Sequence, residues 1–279
     1  MSDSIVAARP GGRPTERLGI TRVRDGASRP ATDVLAAEEP LEVRLEGEQV
    51  AVTMRTPVPG QDAELALGFL HGEGIVHPGD CERVQECRSA EGDGGIVDVM
   101  LRPGVTPRAG WQRSFYATSS CGICGKAGID AVRVAAAPLP EGPPIEAKTL
   151  ETLPELLRAE QRVFERTGGL HAAGLFDPNG DLVLLREDVG RHNAIDKVVG
   201  RASMDGLLPL NRNVLAVSGR VSFEIVQKAL IAGVPIVCAV SAPSTLAVRL
   251  AAESGMTLVG FLRPGGFNVY AGRDRITGI

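Results

Sequence analysis

The chain has 279 residues, 43% of them hydrophobic, with 34 acidic against 30 basic side chains and a net charge of −4. That length suits one large domain or two unequal ones, each able to bury a core, and the acidic balance argues against nucleic-acid binding through a broad basic surface. The longest apolar stretches, such as 231–240, are too short to cross a bilayer and are interrupted by Gly233 and Pro235, so no membrane span is expected.

Residues 1–17 are polar and rich in Gly, Pro and Arg, a composition that predicts a mobile tail. No apolar stretch follows its arginines, so a secretory leader is not expected, and five cysteines without one fit a reducing cytoplasm. Residues 18–117 read as a smaller α+β domain. Residues 41–45 alternate apolar and charged, Glu46-Gly47-Glu48 turns the chain, and 50–54 return, which predicts a hairpin. Asp62 is placed as the cap of a short helix through Leu70, with Leu65, Phe69 and Leu70 facing inward. A second hairpin is expected across 91–95, ending in the strand 96–101.

Residues 118–148 hold a cysteine loop and a Pro-rich linker. In Ser119-Ser120-Cys121-Gly122-Ile123-Cys124-Gly125-Lys126, flanking glycines and an adjacent lysine favour accessible, acidified thiols. The spacing of Cys121 and Cys124 fits three chemistries: half of a zinc site, a dithiol redox pair, or a nucleophilic, sulfur-carrying cysteine. Further zinc ligands would have to come from Cys81, Cys87, Cys238 or the four histidines, and there is no second C-x-x-C.

Residues 149–279 read as a larger α/β domain. Thr149 or Thr152 is expected to cap a helix with Pro154 in its first turn, carrying Leu153, Leu157 and Phe164 and stopping at Gly168-Gly169. Asp177-Pro178-Asn179-Gly180 predicts a hairpin between 171–176 and 181–185. Beyond it, apolar strands at 182–185, 214–217 and 236–240 each run into a polar loop, which implies a parallel or mixed sheet with its loops gathered at one edge.

In such a sheet ligands bind beyond the carboxyl ends of the strands, where helix N-termini offer unpaired N–H groups to anions. Ser218-Gly219-Arg220 and Ser241-Ala242-Pro243-Ser244 fall there, although Ser222 and Ser244 also suit plain helix caps. The polar run from Arg186 to Lys197 starts directly after an apolar strand; a solvated loop is its simplest reading, and His192 within it is placed to orient a ligand or relay a proton. His71-Gly72-Glu73 ahead of the C-x-x-C outlines a zinc deaminase, but Ser120 stands where that pattern has proline. With the other cysteines far apart in sequence, no permanent metal is expected.

Taken in order, these runs resemble the formate dehydrogenase accessory sulfurtransferase (FdhD) family. The resemblance is carried by Glu38-Glu39-Pro40-Leu41, Met54-Arg55-Thr56-Pro57, the cysteine run, Thr167-Gly168-Gly169-Leu170-His171, residues 186–197, Ser218-Gly219-Arg220-Val221-Ser222-Phe223-Glu224, Val240-Ser241-Ala242-Pro243 and Gly260-Phe261-Leu262-Arg263, over about 18–275. It implies a cytoplasmic sulfurtransferase, with a homodimer the expected assembly. Such a protein takes sulfur from a cysteine desulfurase and passes it to the molybdenum cofactor, bis-molybdopterin guanine dinucleotide, bound as substrate for formate dehydrogenase. The persulfide cysteine then maps onto Cys121, its companion onto Cys124, and cofactor contacts onto Phe261, Leu262, Arg263, Pro264, Gly265 and Gly266; to these the reading of the loops adds Ser218, Arg220 and Ser241 for the phosphates, and His192. The implied fold is α/β: a layered mixed-sheet C-terminal domain similar to the cytidine deaminase fold, beside a smaller α+β N-terminal domain. The competing class is a non-catalytic chaperone that binds the same cofactor.

Overall fold

The computed structural model describes residues 6–7, 12–77, 79–88, 94–107, 115–116, 139 and 141–279; the loop with Cys121 and Cys124 lies outside the described residues. Strand β1 (Val6–Ala7) is followed by the hairpin of β2 (Thr15–Arg24) and β3 (Ala27–Ala36). Asp25 and Gly26 turn it with φ of 50° and 77°, the pair of positive angles that a two-residue hairpin loop of type I′ needs. The sequence reading missed this ribbon, and β2 begins at Thr15, inside the stretch read as a tail. Asp25-Gly26 was the available signal, but the flanking strands alternate too little to support it.

The expected hairpin forms from β4 (Glu39–Leu45) and β5 (Glu48–Arg55), antiparallel, and the helix α1 (Gln61–Gly72) follows. Next come β6 (Cys81–Arg88), β7 (Gly95–Leu101) and β8 (Phe115–Tyr116). The sheet order is β1-β6-β7-β4-β5-β8. Alternation puts Leu41, Val43, Leu45, Val97 and Val99 on one face, where Leu65 and Leu70 of α1 cover them. The helix starts at Gly60, with no side-chain cap. Asp62 instead turns to the buried Arg55, whose Nε and Nη2 donate to its two carboxylate oxygens at 2.7 and 2.8 Å.

The second half opens with β9 (Ile145–Glu146), α2 (Ala147–Ala159) and α3 (Arg162–Thr167). The single helix expected here is therefore two. Pro154 lies inside α2, the helix starts at Glu146 without a side-chain cap, and Leu150, Leu153 and Leu157 are its buried face. A new helix starts after Gln161 because the Glu187 carboxylate accepts the N–H groups of Val163 and Phe164, a cap supplied from a distant strand.

The hairpin β10 (His171–Phe176) and β11 (Leu182–Asp188) leads into α4 (Arg191–Met204), β12 (Val214–Val217), α5 (Phe223–Ile231), β13 (Ile236–Ala239) and α6 (Thr245–Glu253). The chain closes with β14 (Thr257–Arg263), β15 (Gly266–Ala271) and β16 (Ile276–Thr277), the last paired with β9. The sheet order is β11-β10-β12-β13-β14-β15, parallel through β12, β13 and β14 and antiparallel outside them, so the sheet is mixed as expected. Its central strands are apolar on both faces because both are covered: Leu215, Val217 and Val237 pack under α4, α5 and α6, while Val214, Ala216 and Cys238 pack under α2.

Helices α1 and α4 join the two halves at close range. A Cβ on Gly68 would overlap the Asp196 carbonyl, and one on Gly200 would overlap the Glu64 carbonyl, so both glycines are required by backbone contact. Ion pairs line this seam: Arg186 with Glu64 at 2.6 Å, Lys228 with Asp196 at 2.7 Å, and Lys197 with Asp188 at 2.7 Å, the last pair fully buried.

Candidate functional site

Three loops meet at the carboxyl ends of β12, β13 and β14. Residues 218–222 and 241–244 run side by side, with Val221 N–H donating to the Ala242 carbonyl at 3.2 Å and Ser244 N–H to the Val221 carbonyl at 2.9 Å. The Phe261 N–H donates to the Ser241 carbonyl at 3.1 Å, which ties the end of β14 to the same edge. Gly260 permits this approach: a Cβ there would lie 2.9 Å from Pro243 and 3.1 Å from the Ser241 carbonyl oxygen. The convergence expected from sequence is therefore present.

An open pocket of about 450 Å³ lies on the hairpin of β14 and β15, lined by Phe261, Arg263, Gly266, Phe267 and Asn268. Register shifts between Gly260 and Arg263 turn Phe261 out of the ladder, with φ of 52° and 45% of its surface exposed. A left-handed phenylalanine is strained, and such residues persist where the surroundings hold them, often at ligand sites. Pro264 and Gly265 make the two-residue turn, Gly265 taking the φ of 84° that a type II turn requires.

Of the six residues assigned here from sequence, Phe261, Arg263 and Gly266 line the pocket. Leu262 is 1% exposed and its side chain belongs to the core, and Pro264 and Gly265 shape the turn. Phe267 and Asn268 were missed; the signal was the alternation of β15, which sets an aromatic ring beside the turn. Two phenylalanines and an arginine suit a planar, anionic ligand, since rings stack on flat heterocycles and guanidinium groups bind phosphate.

Ser218 is committed locally, its Oγ accepting the Ala172 N–H at 2.9 Å. Arg220 is exposed, and Ser241 is half-buried. His192, in the first turn of α4, sets Nε2 3.0 Å from Ser222 Oγ and 3.1 Å from the Glu224 carboxylate. Ser222 therefore does not cap α5 with its side chain, whereas Ser244 does cap α6, accepting the Ala247 N–H.

Several other members of the polar run 186–197 are structural. Asp188 accepts from Thr56 N–H, Gly190 N–H, Asn193 Nδ2 and Lys197, and Asn193 also donates to the Met54 carbonyl. The solvated-loop reading fails here because the run is the ionic seam between the two halves. His71, from the deaminase outline, is buried at the end of α1 with Nδ1 3.4 Å from the Val76 carbonyl, and burial holds its pKa below the usual histidine value.

The profile of the FdhD/NarQ family matches residues 36–277. The chain belongs to this family. Among FdhD/NarQ relatives, the sulfur carrier protein FdhD of Streptomyces avermitilis is 56% identical over 274 residues, covering 95% of this chain and 96% of the relative. The protein of the same name from Mycobacterium tuberculosis is 52% identical over 261 residues (90% and 93%), and that of Saccharolobus solfataricus 39% over 264 (94% and 98%). A solved chain from Desulfotalea psychrophila, described as a candidate formate dehydrogenase accessory protein, shares the fold with a TM-score of 0.72 at 24% identity, covering 95% of this chain and all of that one. In this FdhD/NarQ chain the described part of the candidate site is the sheet edge.

Proposed function

We propose that this FdhD/NarQ protein is a sulfurtransferase that carries persulfide sulfur on Cys121 from a cysteine desulfurase to the molybdenum cofactor, bis-molybdopterin guanine dinucleotide, destined for formate dehydrogenase. The observation that supports it most is the pocket of Phe261, Arg263 and Phe267 at the sheet edge, which has the chemistry of a nucleotide-bearing cofactor. Strand β8 supplies a second support. It runs parallel to β5, with Tyr116 beside Val52, toward Thr53 and Met54, which both touch Asn193 at the start of α4. Cys121 follows Tyr116 by five positions, at most roughly 17 Å of extended chain.

The Cys121 thiolate attacks the terminal sulfur of the donor persulfide; a new S–S bond forms on Cys121, the donor S–S bond breaks, and the donor thiolate leaves with the electron pair. Release as sulfide needs two electrons. Attack by the Cys124 thiolate on the inner sulfur supplies them, freeing hydrosulfide and leaving a Cys121 to Cys124 disulfide that a cellular dithiol resets. The sheet edge meanwhile holds the acceptor. Among the described residues no helix is long and apolar enough to cross a membrane, and the cytoplasm, where thiols stay reduced, is the proposed compartment.

Peptide mass spectrometry after incubation with a cysteine desulfurase and cysteine tests this: one added sulfur is expected on Cys121. Full activation of formate dehydrogenase by Cys121→Ala would overturn it and favour a cofactor-binding chaperone. Cys124→Ala is expected to be milder, because an external thiol can replace the resolving one.

A further inference from the structure

The ribbon of β2 and β3 is a two-stranded sheet of its own. Its base is tied down where the Ala37 N–H donates to the Pro14 carbonyl at 2.9 Å, Arg166 Nη2 donates to Thr15 Oγ1 at 3.4 Å, and Ala36 lies so close that a Cβ on Gly169 would sit 3.4 Å from its own. Each strand then runs on for 10 residues, roughly 34 Å of extended chain, and no residue of either strand is buried. A two-stranded hairpin without a cover is marginally stable in water at best, so a ribbon of this length needs a surface to lie on.

One face of the ribbon is ordered by charge. Residues directly opposite share a face and alternate along each strand, so the face that carries Ile20 opposite Ala31 at its middle also carries Arg22 opposite Arg29 and Arg24 toward the tip. Toward the base the same face carries Glu16 opposite Leu35, and Leu18 opposite Asp33. The acids are at one end, the arginines at the other. Like charges directly opposite, as at Arg22 and Arg29, destabilise a strand pair, and among the described residues Glu16, Arg22, Arg24 and Arg29 make no ion pair. Leu18 and Leu35 are 47% and 40% exposed between them. Both charged ends therefore lack partners within the chain.

We infer that this face docks on the same face of a second copy of the chain, the two ribbons antiparallel about a two-fold axis that crosses the row of Ile20 and Ala31. The register makes the face complementary to itself under that axis: Arg24 of one copy meets Glu16 of the other, Arg29 meets Asp33, and the stem of Arg22 lies on Leu18. Stacked sheets lie about 10 Å apart, a gap that arginine and carboxylate side chains close together. A nucleic acid or a uniformly acidic protein would gain at the tip and lose at the base, whereas a second copy satisfies both ends at once. The inference does not depend on the sulfur chemistry proposed above.

Sedimentation equilibrium of the full chain over a dilution series tests it on wild type, Arg29→Asp, Asp33→Arg and an equimolar mixture of the two variants. Wild type is expected to dimerise, and more weakly at high salt. Each variant alone sets like charges against each other twice across the axis, so its dimer is expected to weaken at least about tenfold. The mixture is expected to recover to within a few-fold of wild type, because Arg29 of one variant then meets Asp33 of the other and the two new side chains meet each other with opposite charge. A chain that had merely misfolded would not recover. A dimer that both variants leave unchanged forms through another surface and overturns the inference. Two weakened variants that fail to recover on mixing overturn the two-fold, and the inference with it. A wild type that stays monomeric at every concentration also overturns it; if that monomer binds heparin and Arg29→Asp does not, the tip belongs to a polyanion instead.

Discussion

The backbone carbonyl of Glu64 on α1 occupies the place where a Cβ on Gly200 of α4 would lie. Gly68 meets the Asp196 carbonyl in the same way from the opposite helix, so the two backbones touch at two points. The side chains flanking the contact are charged and paired: Glu64 takes both the Nε and Nη2 of Arg186, at 2.6 and 2.8 Å, and Asp196 takes Lys228. Close backbone approach brings those partners into reach.

Gly200→Ala and Gly68→Ala are each expected to force the helices apart and cost about 1–3 kcal/mol or more, as overpacking of a tight contact does. Gly47→Ala, at a turn glycine with open space around it but a φ of 80°, is expected to cost only about 1–2 kcal/mol through backbone strain. Urea unfolding of the three variants compares the two mechanisms. An unchanged midpoint for Gly200→Ala would contradict the backbone contact.

His71 gives stability a pH dependence of known sign. Burial holds its folded pKa below the ordinary value of 6.5, so as pH falls through 6.5 the unfolded chain takes up the proton first. Stability is therefore full above that point and declines below it, down to the folded pKa. His71→Gln, which does not titrate, is expected to flatten the curve between pH 7 and the acid limit of folding. A wild-type curve that rises on acidification there would show the imidazole to be stabilised by its charge.

Phe261 separates stability from binding. Its φ of 52° suits glycine, so Phe261→Gly is expected to leave the melting temperature unchanged or raise it slightly, by relief of about 1 kcal/mol of strain, while guanine nucleotide affinity falls. Phe261→Ala keeps the strain and loses the ring, so it is expected to lose affinity without gaining stability. A Phe261→Gly variant that binds GDP as well as wild type would remove the ring from the site.

Thiol reactivity is expected to divide the cysteines sharply. Burial pushes the Cys238 thiol up to about 12 and the Cys81 thiol up to about 11, so neither forms appreciable thiolate near pH 8. Alkylation of the native protein at that pH, followed by peptide mapping, is expected to leave both unlabelled and to modify Cys121 first. Early labelling of Cys238 would mean that the sheet between β12 and β14 opens on the timescale of the reaction.

Much of the fold was legible where local chemistry dominates. The hairpin of β4 and β5, the Asp177-Pro178-Asn179-Gly180 turn, and the strands β12 and β13 follow from alternation, turn residues and apolar runs, all of which act within a few residues. The meeting of residues 218–222, 241–244 and 261 at one edge followed too, because consecutive parallel strands place their carboxyl ends together.

Apart from the local ribbon of β2 and β3, what failed depended on partners distant in sequence. The break between α2 and α3 is set by Glu187, twenty-odd positions downstream; Asp62 serves Arg55 instead of capping α1; and Arg186, Asp188, Asn193 and Lys197 turned out to bind the other half of the molecule. A charged residue looks the same in sequence whether it faces water or a buried counter-charge, and only the packing of α1 on α4 distinguishes the two. The sequence by itself determined the strand and turn pattern, the C-x-x-C and the family likeness, since each is written in neighbouring residues. The tertiary structure decided which polar side chains lock the halves together and which, as with Phe261 and Arg263, remain to meet a ligand, because that depends on where distant backbone segments come to rest.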